Sequence, residues 1–191
     1  VRSVVLFLFV LLASCRSADM PLTWYVLAPT PAASAAAPAP VDDGPVLVIE
    51  RVELAEFLRQ AGLVLQTGPQ QLQLSRQHLW AQGLDEALPR LLLQELQRQT
   101  PRHRILLATD HAPDPAWRLR LQVDAFHALD TGEVVCAGRF QLIEAATGNS
   151  RVREFRFTAG LQDDGHAHAV AQLAGLTQEL AALVAQELMA D

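Results

Sequence analysis

Residues 117–125 read Trp117-Arg118-Leu119-Arg120-Leu121-Gln122-Val123-Asp124-Ala125, with apolar and polar side chains in alternation. Successive side chains on a strand point to opposite faces, so this period of two marks a strand with one buried and one wet face. Residues 133–146 and 150–161 read as two more strands, joined through Ala145-Ala146-Thr147-Gly148-Asn149, a hairpin turn. The result is a three-strand meander. Arginine recurs at its polar positions, at Arg118, Arg120, Arg139, Arg151, Arg153 and Arg156.

Toward the C-terminus, from His166 onward, Val170, Leu173, Leu176, Leu180, Leu183, Val184 and Leu188 mark one face of a long closing helix. Gln172, Gln178, Glu179, Gln186 and Glu187 lie mostly on its other face. Toward the N-terminus, residues 104–109 read as a strand. Before them, Leu84, Leu88, Leu91, Leu92 and Leu96 predict an amphipathic helix over 84–99, with Asp85 as N-cap, Pro89 near its first turn and Pro101 beyond its end. Residues 63–67 and 71–75 flank Gly68-Pro69 as a hairpin, and 46–54 and 23–27 are further strands. Between these last two, residues 28–45 form a Pro/Ala-rich loop holding Pro29, Pro31, Pro38, Pro40 and Pro45.

This order of elements predicts an α+β fold in one domain over residues 23–191: a mixed, largely antiparallel sheet with two main helices packed on one face. The Arg-bearing face of the meander is then left open. It reads either as a solvated sheet face or as a partner surface, with Arg118, Arg120 and Arg139 the contact candidates.

Length and composition bound the function. The 191 residues carry a formal charge of −6, half of them are hydrophobic, and no lysine occurs. That is too apolar for a disordered chain, and the acidic balance excludes a nucleic-acid arm or a polybasic lipid-binding tail. Near the start, Arg2 precedes an unbroken apolar run over residues 4–12, followed by Leu12-Ala13-Ser14-Cys15. The run is shorter than the ~20 residues a spanning helix needs and fits the apolar region of a signal peptide. Small residues just before a cysteine resemble the lipobox of bacterial lipoproteins. That resemblance implies a signal peptide over residues 1–14, cleavage after Ser14 and acylation of Cys15 on its sulfur and its new amino group. Residues 15–22 then form the lipidated tether, and Arg16 after the cysteine favours sorting to the outer membrane.

The remaining chemistry is sparse. Neither G-x-x-x-x-G-K-[ST], G-x-G-x-x-G nor G-x-S-x-G occurs. Ser75 and His78 are three residues apart but lack a third member for a nucleophilic triad. Asp163-Asp164-Gly165-His166-Ala167-His168 has metal-ligand residue types, yet its carboxylates also suit the start of the closing helix, and the capping role is preferred. His103, His111 and His127 show no ligand spacing. Cys136 lies in the apolar run Val134-Val135-Cys136-Ala137 and reads as a buried thiol, and Trp80 reads as a core anchor. The chain is expected to be no enzyme and to bind no metal or cofactor beyond the covalent lipid.

Several features in order carry a wider resemblance: Trp24-Tyr25-Val26-Leu27 after a lipobox, the hairpin at 63–74, Arg76-x-His78-x-Trp80-Ala81 before a helix, the alternating meander and the Leu-rich closing helix. Together they resemble the ABC-type transport auxiliary lipoproteins, the lipoprotein component of paraquat-inducible, MCE-type envelope transport systems. Where such proteins often carry an acidic residue, this chain has Gln82. The resemblance implies a non-catalytic protein anchored at the periplasmic face of the outer membrane. Its partner would be a periplasmic MCE-domain protein, in moving lipid or hydrophobic compounds and keeping the envelope intact. Self-association stays open as a further partnership. The other reading is a stand-alone lipoprotein whose sheet and helices enclose a lipid or hydrophobe.

Overall fold

The computed structural model describes residues 21–29, 44–110, 114–162 and 165–190. The expected signal peptide with Cys15, residues 30–43 of the Pro/Ala loop, His111 and the pair Asp163-Asp164 lie outside them. In chain order the strands are β1 (Thr23–Tyr25), β2 (Val46–Leu54), β3 (Gly62–Gly68), β4 (Gln71–Trp80), β5 (Arg104–Leu107), β6 (Trp117–Leu129), β7 (Glu133–Glu144) and β8 (Ser150–Gly160). Helix α1 (Leu84–Gln99) follows β4 and helix α2 (His166–Met189) closes the chain, while a 3-10 turn at Glu56–Arg59 follows β2. This is the α+β architecture expected, a mixed sheet with its long ladders antiparallel.

Strand β6 is the spine. One edge pairs antiparallel with β7 along its whole length, and β8 continues the meander beyond β7. The other edge is shared. Parallel β2 occupies it from Trp117 to Val123, and parallel β3 takes it at Ala128 and Leu129. At the changeover β2 ends, the Ala55 N–H donates to the Val123 carbonyl, and the 3-10 turn carries the chain to β3. Beyond β3 the sheet continues through β4 to β1, and beyond β2 to β5.

The same point holds a bulge. Val123 pairs with Gly138 and Ala125 with Ala137, so Asp124 is an extra residue on β6, and the alternation reverses there. Leu119, Leu121 and Val123 face the helices before the bulge and Phe126 faces them after it, which extends the strand past the simple period of 117–125 to Leu129. A Cβ built on Gly138 would lie 2.0 Å from the Gln122 carbonyl oxygen and 3.0 Å from the Val123 Cα, so only glycine admits the β6 backbone at this distance.

Both helices cover one face of the sheet. On α1, Leu88, Leu92 and Leu96 are fully buried, as their spacing predicts. On α2, Leu173, Leu176, Leu180, Val184 and Leu188 are buried, and Ala181 and Ala185 between them let the helix lie close. Each buried Leu contributes about 1.5–3 kcal/mol. The N-cap of α1 is Gly83 rather than Asp85, which sits in the first turn and folds its carboxylate back over Gly83. Pro89 lies within the helix and leaves the Asp85 carbonyl without its helical donor, but the packed leucines carry the helix through. The segment before α1 is the second half of β4, so Trp80 is a strand residue; it is 5% exposed and packs on Phe126.

Replacing Gly138 with Ala should separate β6 from β7 at the bulge and destabilise the fold by about 1–3 kcal/mol. Urea unfolding of Gly138→Ala measures this, and a Gly160→Ala control, where the added methyl meets nothing, should unfold like the parent.

Candidate partner-contact face

The face of β2, β6 and β7 turned away from the helices carries the charge. In β2, Ile49 pairs with Leu119 and Arg51 with Arg120, which makes Glu50 a bulged residue. That bulge sets its carboxylate between two guanidiniums, with Oε1 3.0 Å from Arg118 Nη1 and Oε2 2.8 Å from Arg120 Nε. Beside it Arg51 pairs with Glu53 at 2.9 Å. The Arg139 Nε donates to Gln122 Oε1 at 3.0 Å, and the Gln122 amide donates on to Asp124 at 2.8 Å. Arg118, Arg120 and Arg139 are thus brought onto one surface. One carboxylate serves Arg118 and Arg120 together, and Arg139 rests on a neutral amide with Glu154 opposite it across the β7–β8 ladder. With Arg51 and Arg156, the face carries five guanidiniums against the carboxylates of Glu50, Glu53, Asp124 and Glu154, an excess of one positive charge.

Two shallow hollows mark this face. One, of about 310 Å³, is bordered by Arg51, Arg120, Arg139, Gln141 and Val152. The other, of about 590 Å³, is bordered by Asp124, Arg139, Glu154 and Arg156. Arg139 stands between them. Planar, permanently charged guanidiniums that are half-exposed and already oriented by neighbours are suited to binding carboxylates through paired N–H donors.

Arg151 and Arg153 are not on this face. Arg151 pairs with Leu142 and Arg153 with Phe140 across the β7–β8 ladder, and both partners face the helices. Their side chains reach the end of α2, where Arg153 Nε lies 2.7 Å from Glu187 Oε1 and Arg151 Nη1 donates to the Glu187 carbonyl at 2.8 Å. Arg151 also lies over the Trp117 ring. Helix α2 does not cover the edge strand fully, and the long arginine stems do so instead. The alternation in β8 therefore runs opposite to the one its arginines imply. Phe155, Phe157 and Ala159 face inward, while Val152, Glu154 and Arg156 face out.

The other candidate chemistry resolves into structure. The Ser75 Oγ accepts the backbone N–H groups of Gln77 and His78 at 3.3 and 3.0 Å, so it props up an irregularity in β4 and does not meet the His78 ring. That ring stacks on His166 with centroids 3.6 Å apart and shares a 3.0 Å hydrogen bond with Tyr25 Oη. This three-residue cluster ties β1, β4 and the start of α2 together. Its members lie 53 and 88 residues apart, and no local spacing announces it. Among the described residues no group of three or more His, Cys, Asp or Glu is placed to hold a metal ion. Cys136 is fully buried, and burial, with the Glu179 carboxylate adding to it, pushes its thiol up to about 12. It stays a thiol at neutral pH and is closed to chemistry from solvent. Gln82 donates its amide to Glu86 at 2.8 Å.

Residues 25–185 match the family model of the ABC-type transport auxiliary lipoprotein component. The chain belongs to this family. It is 28% identical over 178 residues to the intermembrane transport lipoprotein PqiC of Escherichia coli K12, covering 93% of this chain and 91% of that one, and equally to PqiC of Shigella flexneri. A crystal structure of an uncharacterised protein matches with a TM-score of 0.76 at 25% identity, covering 88% of this chain and 99% of the other. A crystal structure of the Xanthomonas campestris protein XCC0632 shares the fold, with a TM-score of 0.68 at 14% identity over 87% of this chain and 94% of that one. As a member of this family the chain is a lipoprotein and an auxiliary component of a transport system, associated with a membrane of the cell envelope.

His103, His127 and His166 are all held below the ordinary 6.5, in each case first by burial. At His127 a hydrogen bond to the Ala128 carbonyl works against the shift and Arg156 adds to it, and at His166 the stacked His78 adds to it. As pH falls below 6.5 the unfolded chain takes up these protons before the folded one, so stability is full above that pH and is lost toward the lower folded-state values. Melting temperature should therefore fall between neutral pH and about pH 5, and His127→Gln should flatten that slope.

Proposed function

We propose that this chain is an outer-membrane-anchored, non-catalytic lipoprotein that docks a periplasmic MCE-domain protein, within a system moving lipid or hydrophobic compounds across the envelope. The observation that carries the reading is the family match over residues 25–185, on a body whose interior is filled and whose charged sheet face is free. Leu47, Leu88, Leu92, Leu119, Leu142 and Leu180, between the sheet and helices, have no exposed surface, so that space is packed by side chains. This favours docking over enclosure of a ligand.

The anchor rests on the lipobox resemblance of Leu12-Ala13-Ser14-Cys15, which implies Cys15 as the acylated residue. Cys136, sealed between the sheet and α2, is closed to such chemistry. Multiple acyl chains hold a protein stably, where a single chain is marginal. Arg16 favours the outer membrane. The partner surface is the face bearing Arg118, Arg120 and Arg139, and its excess of guanidinium calls for carboxylates on the partner.

Cells fed an alkyne fatty acid should label the parent chain and Cys136→Ala, but not Cys15→Ala, whose uncleaved precursor still folds. For docking, a C-terminally tagged full-length protein should recover an MCE-domain protein from mildly cross-linked envelopes. The triple variant Arg118→Gln, Arg120→Gln, Arg139→Gln should melt close to the parent and recover at least about tenfold less, since close charge pairs at interfaces couple by about 1.5 kcal/mol or more. Equal recovery by the variant would remove this face from the interface, and extra mass retained on the native protein would favour a ligand-binding lipoprotein.

A further inference from the structure

The apolar side chains left exposed are not scattered. Of the eight large ones among the described residues, six (Leu22, Trp24, Val26, Leu65, Leu72 and Leu74) belong to β1, the β3–β4 hairpin and the residues flanking β1. Trp24 and Val26 are 56% and 64% exposed, and Leu72 and Leu74 are 38% and 40%. The register gathers several on one surface. Trp24 pairs with Leu79, Leu79 with Gly62, Val64 with Leu74 and Gln66 with Leu72. Gly62, Val64 and Gln66 share a face of β3, so Trp24, Leu72, Leu74 and Leu79 all stand on the side of the sheet away from the helices.

This wing is also stripped of negative charge. Residues 21–29 and 62–80 hold no Asp or Glu and a single Arg, the exposed Arg76, in a protein whose net charge is −6. Its polar positions are instead Gln66, Gln70, Gln71, Gln73 and Gln77, neutral amides that hydrogen-bond without repelling phosphate. Exposed Leu with a Trp, an Arg and no acid is the composition of a surface at a bilayer's headgroup level, where an indole places its apolar body inward and its N–H in the polar layer.

Chain direction brings the start of β1 toward the same end. Strand β1 is parallel to β4, so the residues entering it lie beside those preceding His78, on the side of the hairpin tip. From His78 back to Leu72 is six residues, or roughly 20 Å at the rise of a strand. From Cys15 to Thr23 is eight residues, at most about 28 Å. The tether can therefore set its acyl chains level with Leu72 and Leu74.

We infer that the outer face of β1 and the β3–β4 hairpin, through Trp24, Leu72 and Leu74, is a membrane seat that rests on the lipid surface beside the anchor and fixes the orientation of the body. The seat rests on acylation of Cys15. The Arg face lies on the same side of the sheet, in its other half, away from the hairpin tip.

Full-length lipidated protein, reconstituted in vesicles of phosphatidylethanolamine and phosphatidylglycerol, tests this. Spin labels are placed singly through Leu72→Cys, Leu74→Cys and, on the charged half, Val152→Cys; all three sites are exposed and Cys136 is sealed. Labels at 72 and 74 should collide with oxygen dissolved in lipid more than with a water-soluble nickel complex, and the label at 152 should show the reverse. Nickel access at 72 and 74 equal to that at 152, on protein that floats with the vesicles, would overturn the seat and leave the anchor standing. Labels shielded from both quenchers would mark a contact with another protein and overturn it equally. Protein that does not float would overturn acylation of Cys15 and the seat with it.

Discussion

The fold depends on one backbone constraint: β6 offers a single edge to two strands, and it can do so only where β2 departs. At Val123 the ladder with β2 ends, Ala55 takes the last carbonyl, and Asp124 bulges. The bulge adds twist, which turns the second half of β6 toward β3 and divides the sheet into two wings. Gly138 lies opposite and is the smallest residue that lets the strands stay in contact there. Both helices then have one continuous apolar face to cover, because the reversed alternation keeps Phe126 in line with Leu119, Leu121 and Val123.

The two wings differ in chemistry on the side the helices leave free. The wing of β2, β6 and β7 carries a lattice of Arg, Glu and Gln, in which the bulged Glu50 orients Arg118 and Arg120. Individually such exposed pairs add little to stability, near 0–1 kcal/mol. Their effect is to hold guanidiniums in place, which lowers the entropy a partner must overcome. The wing of β1, β3 and β4 is apolar and free of acid. The proposed tether and periplasmic partner would meet two unlike surroundings, and the split sheet offers a surface suited to each.

Much of this was legible along the chain. The period of two in residues 117–123, the 3.6 period of the leucines in α1 and α2, and the Gly68-Pro69 turn are local signals, since each follows from side-chain direction or backbone geometry within one element. The family was legible for the same reason, as an ordered series of local features. The side of a strand reached by a given arginine was not. Arg151 and Arg153 look like Arg118 and Arg120 in sequence, yet they fold over the helix side, because the register with β7 places Phe155 and Phe157 inward and α2 presents Glu187 at the uncovered edge.

The sequence by itself determined the elements, the fold class and the burial of Cys136, all of which depend on composition or short-range periodicity. Only the tertiary structure decided where the alternation reverses, which arginines share a face, that Tyr25, His78 and His166 meet, and that Leu72 and Leu74 share a face with Trp24. Those are consequences of long-range register. A single bulge, at Asp124 or Glu50, moves every following side chain to the opposite face, and nothing local in the sequence marks it.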